Sequence, residues 1–264
     1  MSATRIPVYQ VDAFASRLFT GNPAAVCPLE TWLPDEQMQA IAAENNLAET
    51  AFFVPNGDGY HLRWFTPTVE VDLCGHATLA SAFVILNELT PQAKSVRFST
   101  KSGKLVVTRE GDLLSLDFPS LVAVEGEVYP GLILALGGRP EKVLAARDYL
   151  VVYATEAELR SLKPDMDALA KADRFAVIAT APGKDDVDFI SRFFAPAQGI
   201  PEDPVTGSAH CTLIPYWSKR LGKTKLHAFQ ASPRGGELWC EDRGERVTIS
   251  GKAVQFLEGT ICLC

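Results

Sequence analysis

Apolar residues in this chain fall mostly into short alternating runs, and only a few stretches keep the 3.6-residue spacing of a helix. Val8, Val11 and Phe14 mark a first strand, and Gly21-Asn22-Pro23 reads as a turn. Between residues 34 and 46 the positions Met38, Ile41 and Ala42 keep helical spacing, with Asn45-Asn46 as the stop. Residues 50–54 are strand-like and turn back through Asn56-Gly57-Asp58-Gly59 into a second strand at 60–65. Residues 77–86 are apolar almost all round, which predicts a helix buried on every side. Three short strands follow at 95–99, 104–109 and 113–118, the last two joined at Glu110-Gly111-Asp112.

Pro119 opens a looser stretch, and a second set of elements begins beyond it. Strands are expected at 143–146 and 149–154. Thr155 caps a helix running to Leu162, with Glu158 completing a capping box. Strands at 175–179 and 187–194 precede a helix at 209–221 that Pro215 interrupts and Gly222 stops. The tail alternates turns with strands at 226–230, 237–240, 246–249 and 253–257.

A repeat runs through this pattern. Arg63-Trp64-Phe65-Thr66-Pro67 is echoed by Arg192-Phe193-Phe194-Ala195-Pro196. Each is followed by an acid, a glycine and an apolar helix: Asp72 with Gly75-His76-Ala77, and Asp203 with Gly207-Ser208-Ala209. His76 and Ser208 stand 132 positions apart (208 minus 76) in a chain of 264. That spacing points to two equivalent halves.

Composition narrows the function. With 25 Lys+Arg against 32 Asp+Glu the net charge is −7, and 47% of residues are hydrophobic. Disorder and collagen-like repeats are excluded, and an acidic chain lacks the basic face that nucleic acid requires. The apolar run at 79–86 is too short to cross a bilayer, and the first residues lack the apolar core of a signal peptide, so no membrane is expected and a cytoplasmic location is. Six scattered cysteines without a C-x-x-C pair read as reduced thiols. Cys262 and Cys264 would share one face of a strand, but two sulfurs do not make a zinc site.

The repeat carries chemistry because each loop delivers a glycine to a helix N-terminus, where backbone N–H groups lack partners and attract a carboxylate. Gly75 and Gly207 would place two such ends on one ligand if the halves face each other across a cleft. Glu49, beside the aromatic pair Phe52-Phe53, is the candidate acid/base, since partial desolvation suits a carboxylate to proton transfer. His76 could donate to a ligand or shuttle a proton, and Cys74 is a candidate thiol at the same helix start. Asp203, Ser208 and His210 lie too close in sequence for a hydrolase triad, and no G-x-S-x-G elbow is present.

Together these motifs resemble the PhzF-like (phenazine-biosynthesis-like) family, which shares the diaminopimelate epimerase fold. The resemblance rests on Val11-Asp12-Ala13-Phe14, Gly21-Asn22-Pro23-Ala24-Ala25-Val26, Leu47-Ala48-Glu49-Thr50-Ala51-Phe52, Phe65-Thr66-Pro67, Asp72-Leu73-Cys74-Gly75-His76-Ala77-Thr78 and Glu202-Asp203-Pro204-Val205-Thr206-Gly207-Ser208-Ala209. It runs from the first strand to Leu257-Glu258-Gly259-Thr260. The subgroup with Gly207-Ser208-Ala209-His210-Cys211 and Arg234-Gly235-Gly236-Glu237-Leu238 matches more closely than the phenazine enzymes proper.

The resemblance implies an α+β fold of two pseudo-symmetric halves, each a mixed curled sheet around a central helix. One half would be 1–117 joined by a returning tail at 253–264, the other 118–252. It implies a homodimer and an isomerisation that needs neither cofactor nor metal. Glu49 would move the proton, with His76, Asp203 and Ser208 completing the site. Gly75, Cys74, Gly207 and Thr206 would bind a small carboxylate-bearing, amino-acid-like substrate. Three departures stand out: Ala48 replaces a serine, Thr206 replaces the second cysteine of diaminopimelate epimerase, and His210-Cys211 replaces a small Ala-Gly pair. A two-thiol racemase is therefore not expected. A silent binding protein and a one-thiol epimerase using Cys74 are the alternative readings.

Overall fold

The strand alternation becomes mixed β-sheet in the computed structural model, which describes residues 4–263; Cys264 lies outside them. The chain separates into unit 1, Met1–Asp117 with Ser250–Cys264, and unit 2, Phe118–Ile249. In chain order unit 1 holds β1 (Thr4–Ala13), β2 (Asn22–Pro28), α1 (Asp35–Asn45), β3 (Glu49–Asn56), β4 (Gly59–Phe65), β5 (Glu70–Val71), α2 (Gly75–Val84), β6 (Ser95–Thr100), β7 (Gly103–Glu110) and β8 (Leu113–Pro119). There follow α3 (Leu132–Leu136), β9 (Lys142–Ala145), β10 (Tyr149–Val152), α4 (Glu156–Ser161), α5 (Met166–Leu169), β11 (Val177–Pro182), β12 (Phe189–Phe194), α6 (Gly207–Leu221), β13 (Lys225–Gln230), β14 (Gly236–Asp242) and β15 (Arg246–Gly251). The tail, β16 (Ala253–Leu263), returns to unit 1 and pairs with β1 from Thr4↔Leu263 to Ala13↔Ala253.

The sheet of unit 1 runs β16-β1-β2-β3-β4-β6-β7-β8, with β5 beside β4, and that of unit 2 runs β15-β14-β13-β12-β11-β10-β9. Six consecutive strands in each follow one alternation. In unit 1, β1–β2, β3–β4 and β6–β7 are antiparallel, while β2–β3 and β4–β6 are parallel. In unit 2, β9–β10, β11–β12 and β13–β14 are antiparallel, while β10–β11 and β12–β13 are parallel. A parallel pair needs a crossover, and α2 and α6 supply it, after β4 and after β12.

The sequence repeat is also a repeat of side-chain geometry. Arg63 forks onto Glu70 at 2.7 and 2.9 Å, and Arg192 onto Glu202 at the same two distances. Each guanidinium also lies over the aromatic ring two residues on, Phe65 at 5.1 Å and Phe194 at 4.9 Å. Arg63 holds the Glu70 carboxyl down at about 2, against the opposing effect of burial. The acids that lock the arginines are thus Glu70 and Glu202, not the Asp72 and Asp203 of the echoed pattern.

Helix α2 is buried at eight of its ten residues and packs on β1, β2, β3 and β16. It begins at Gly75, two residues before the expected start, and continues into a π-helical turn at Ile85–Leu89. Its buried hydroxyls bond back along the helix, Thr78 to the Cys74 carbonyl and Ser81 to the Ala77 carbonyl. No helix among the described residues is long and apolar enough to cross a membrane.

Three expectations need correction. Gly21-Asn22-Pro23 is not wholly a turn, because β2 already starts at Asn22. Of the three only Gly21 lies outside the strand, at φ +69°, where an added Cβ would meet the Ala13 carbonyl at 2.2 Å. Pro215 does not interrupt α6. The Cys211 carbonyl that an N–H at 215 would have served accepts instead from the Leu121 N–H at 2.9 Å, so the helix continues at little cost. Thr155 caps α4 by accepting from the Glu158 N–H at 3.2 Å, but the reciprocal half of the box is missing. The Glu158 side chain takes the Arg139 N–H instead.

Candidate active site

In unit 1 the sequence places an acid at a strand start, and a thiol and an imidazole at a helix start. The fold brings all three together. Glu49 opens β3, paired in parallel with Ala24 of β2, while Cys74 and His76 flank the first residue of α2. The three residues are only 8%, 7% and 6% exposed. His76 Nε2 lies 2.9 Å from Glu49 Oε2, and His76 Nδ1 lies 3.5 Å from Cys74 Sγ. The Glu49 contact is an ion pair rather than an aligned hydrogen bond: buried Oε2 makes no hydrogen bond among the described residues.

These contacts set the protonation. Burial opposes charging of His76, but Cys74 and the Glu49 carboxylate outweigh it and lift its pKa well above the ordinary histidine range. Burial, then Glu49, push the Cys74 thiol up, against the pull of His76. The two shifts share a cause: the Glu49 carboxyl favours a charged His76 and disfavours a Cys74 thiolate. Asn22 completes the surroundings, its Nδ2 lying 3.2 Å from His76 Nδ1. Asn22 sits in a quoted motif, yet sequence reasoning assigned it to a turn. One ligand atom each from Glu49, Cys74 and His76 all fall within 4.8 Å of one another, so the same donors could hold a metal ion.

The equivalent place in unit 2 is the loop entering α6. Asp203 Oδ2 accepts from the Thr206 hydroxyl. Gln230 Oε1 accepts from the Thr206 N–H at 2.8 Å, and Gln230 Nε2 donates to the Asp203 carbonyl at 2.8 Å and to Thr206 Oγ1 at 3.2 Å. Ser208 Oγ accepts from Arg147, which is forked onto buried Asp148 and lies over Phe175 at 4.8 Å. His210 donates from Nδ1 to the Thr206 carbonyl at 2.9 Å, and burial pushes its pKa down to about 4. It is a neutral brace of the helix start, bonded to backbone rather than to Ser208.

Neither helix start is closed by its own N-cap side chain: Cys74 and Thr206 make no cap hydrogen bond. Amides around Gly75 and Gly207 therefore keep the positive helix end that suits a carboxylate. Gln230 and Arg147 were missed by sequence reasoning. Gln230 had a legible mark, a polar residue at the inward position of an alternating strand, after Leu226 and Ala228. Arg147, in a turn between strands, had none.

The profile of the phenazine biosynthesis-like protein family (PhzC-PhzF) matches residues 11–259. An "uncharacterized isomerase" of Pseudomonas aeruginosa is 52% identical over 258 residues, which are 98% of this chain and 99% of that one. A crystal structure of a phenazine biosynthesis protein PhzF family member from Enterococcus faecalis superposes with a TM-score of 0.95 at 49% identity, covering 98% of this chain and 99% of that one. A hydroxyproline epimerase from Agrobacterium vitis shares the fold alone, with a TM-score of 0.59 at 10% identity over 99% of this chain and 92% of that one. The fold is that of PhzF and diaminopimelate epimerase-like proteins, and the chain belongs to the phenazine biosynthesis-like (PhzF) family as an enzyme of the isomerase class.

Proposed function

We propose that this isomerase moves a proton between two carbon atoms of a small, carboxylate-bearing, amino-acid-like metabolite, with Glu49 as the acid/base. The observation that carries the reading is the buried Glu49–His76 contact at 2.9 Å, which leaves a carboxylate oxygen without a hydrogen bond beside a charged partner. That oxygen is the atom that takes the proton from carbon. His76 holds the carboxylate in place and balances its charge, so the proton can be returned at a second carbon without leaving the site. The amides around Gly75 bind the substrate carboxylate. Asp203, Thr206, Gly207 and Ser208 enter the proposal through the sequence repeat and the family motif. A homodimer is proposed with it, on the resemblance alone.

A second reading, a one-thiol epimerase, is favoured by the Cys74–His76 contact at 3.5 Å. A thiol kept protonated by burial would act there as an acid and not as the initial base.

The test is a panel of small amino-acid-like carboxylates incubated in deuterated water and read by mass spectrometry. The wild-type enzyme should isomerise one class and add solvent deuterium at carbon. Glu49→Gln keeps the shape while removing the proton carrier, and should lose on the order of 100- to 10,000-fold in both rates. Equal rates in the variant would remove Glu49 and move the assignment to Cys74.

A further inference from the structure

We propose that Glu49, Cys74 and His76 form a binding site for a thiophilic divalent cation of the zinc and cadmium type, and that its occupation blocks the enzyme. Three donors of different type converge: Glu49 Oε2 stands 2.9 Å and Cys74 Sγ 3.9 Å from His76 Nε2, and all three residues offer atoms within 4.8 Å of one another. A tetrahedral zinc ion, with bonds of about 2.3 Å to sulfur and about 2.0–2.2 Å to nitrogen and oxygen, needs donor–donor edges of roughly 3.3–3.6 Å. Cys74 Sγ stands nearer to Nδ1, at 3.5 Å, than to Nε2, so a turn of the Cys74 side chain towards Nε2 completes one face of the tetrahedron.

The charges also match. Binding releases the Cys74 and His76 protons to solvent, and the thiolate, carboxylate and neutral imidazole that remain carry −2, which a divalent ion cancels inside a buried site. Glu49 Oε2 already faces His76 Nε2 at 2.9 Å, and a bound ion would replace that contact with a bond to each atom. The Asn22 amide, 3.2 Å from His76 Nδ1, would orient the ring from behind as an outer-shell partner by turning its Oδ1 to accept from the Nδ1–H. The thiolate selects soft ions over magnesium and calcium, whose preferred donors are oxygens. The positive end of α2 opposes the ion, which makes the site one for ions that bind sulfur strongly. The fourth position stays open to water or to a carboxylate. Binding ties up the Glu49 oxygen and the His76 nitrogen, so the blocking clause rests on the isomerase reading above, while the binding clause does not.

Chelator-treated full-length protein is titrated with cadmium or cobalt(II) chloride. The wild type should bind one equivalent, with a thiolate-to-cadmium charge-transfer band and the intense visible absorption of tetrahedral cobalt. Cys74→Ser should abolish the charge-transfer band, and His76→Gln and Glu49→Gln should each weaken binding by on the order of 100-fold. The double variant Cys262→Ser/Cys264→Ser, which removes exposed Cys262 and its neighbour, should bind like the wild type. Absence of one-equivalent binding, an unchanged band in folded Cys74→Ser, or loss of binding in the double variant would each overturn the site. Binding that leaves deuterium exchange of the wild-type enzyme unaltered would overturn the blocking clause alone.

Discussion

The starts of α2 and α6 are built on one backbone plan but carry different chemistry. Each follows an antiparallel strand with an arginine forked onto a glutamate, and each begins at a glycine. The registers make the comparison residue by residue. Thr50 faces Phe65 and Val177 faces Phe194, so the residue before each, Glu49 and Ala176, occupies the same place. Cys74 and His76 correspond likewise to Thr206 and Ser208. Every titratable group of the unit 1 cluster is a neutral one in unit 2. The amide neighbours differ in the same sense: Asn22 touches the His76 imidazole, whereas Gln230 ties the backbone of residues 203 and 206. On one backbone plan, titratable side chains meet at the first helix start and neutral polar bonds fix the second.

The sharpest way to break this division is to remove the corresponding side chains. His76→Gln deletes the charged partner of Glu49 and should lower deuterium exchange by about 100- to 10,000-fold. Ser208→Ala deletes a hydroxyl bonded to Arg147 and should cost about tenfold, the worth of one hydrogen bond. Both rates are read on the same metabolite in deuterated water. A larger loss in Ser208→Ala than in His76→Gln would invert the assignment of roles.

Stability should divide the other way. Gln230→Leu removes three hydrogen bonds and strands the Thr206 N–H and the Asp203 carbonyl, for a loss of about 2–4 kcal/mol. Glu49→Gln removes the ion-pair partner of His76, which can then shed its proton, and should shift the urea midpoint less than Gln230→Leu. Midpoints that move equally would show that the unit 1 cluster is also a structural bond network.

How much of this was legible beforehand depended on whether a feature was local. Strand alternation, the Asn56-to-Gly59 hairpin, the buried helix after Gly75 and the glycine-led repeat are written in neighbouring residues. Glu49, His76 and Cys74 were found because a family motif and a helix start both pointed to them. Glu70 and Glu202 were missed as arginine partners because the forked contact depends on strand geometry rather than on a fixed spacing: Glu70 follows Arg63 by seven residues, while Glu202 follows Arg192 by ten. Pro215 was misjudged for a similar reason. Whether a proline breaks a helix depends on who else can serve the freed carbonyl, and Leu121 lies ninety-four positions away (215 minus 121). Arg147 reaches Ser208 only through the folding of unit 2.

The two regions also separate by pH. His76 has a pKa raised well above 6.5 in the folded chain. Its contribution to stability is therefore full below pH 6.5 and declines as pH rises through the folded pKa, where the ion pair with Glu49 loses its proton. His210 has the opposite sign. Its folded pKa is near 4, so between pH 6.5 and 4 the unfolded chain binds a proton that the folded chain refuses. Stability then falls as pH falls, by about 1.4 kcal/mol at pH 5.5 and by up to about 3 kcal/mol at pH 4. Urea unfolding from pH 4 to 9 checks both, with each variant subtracted from the wild type so that other titrating groups cancel. Subtracting His210→Gln should isolate a slope confined to the acid side of pH 6.5, and subtracting His76→Gln a slope confined to the alkaline side. Slopes of the same sign in the two differences would mean that His76 is held neutral like His210, and the imidazolium beside Glu49 would have to be given up.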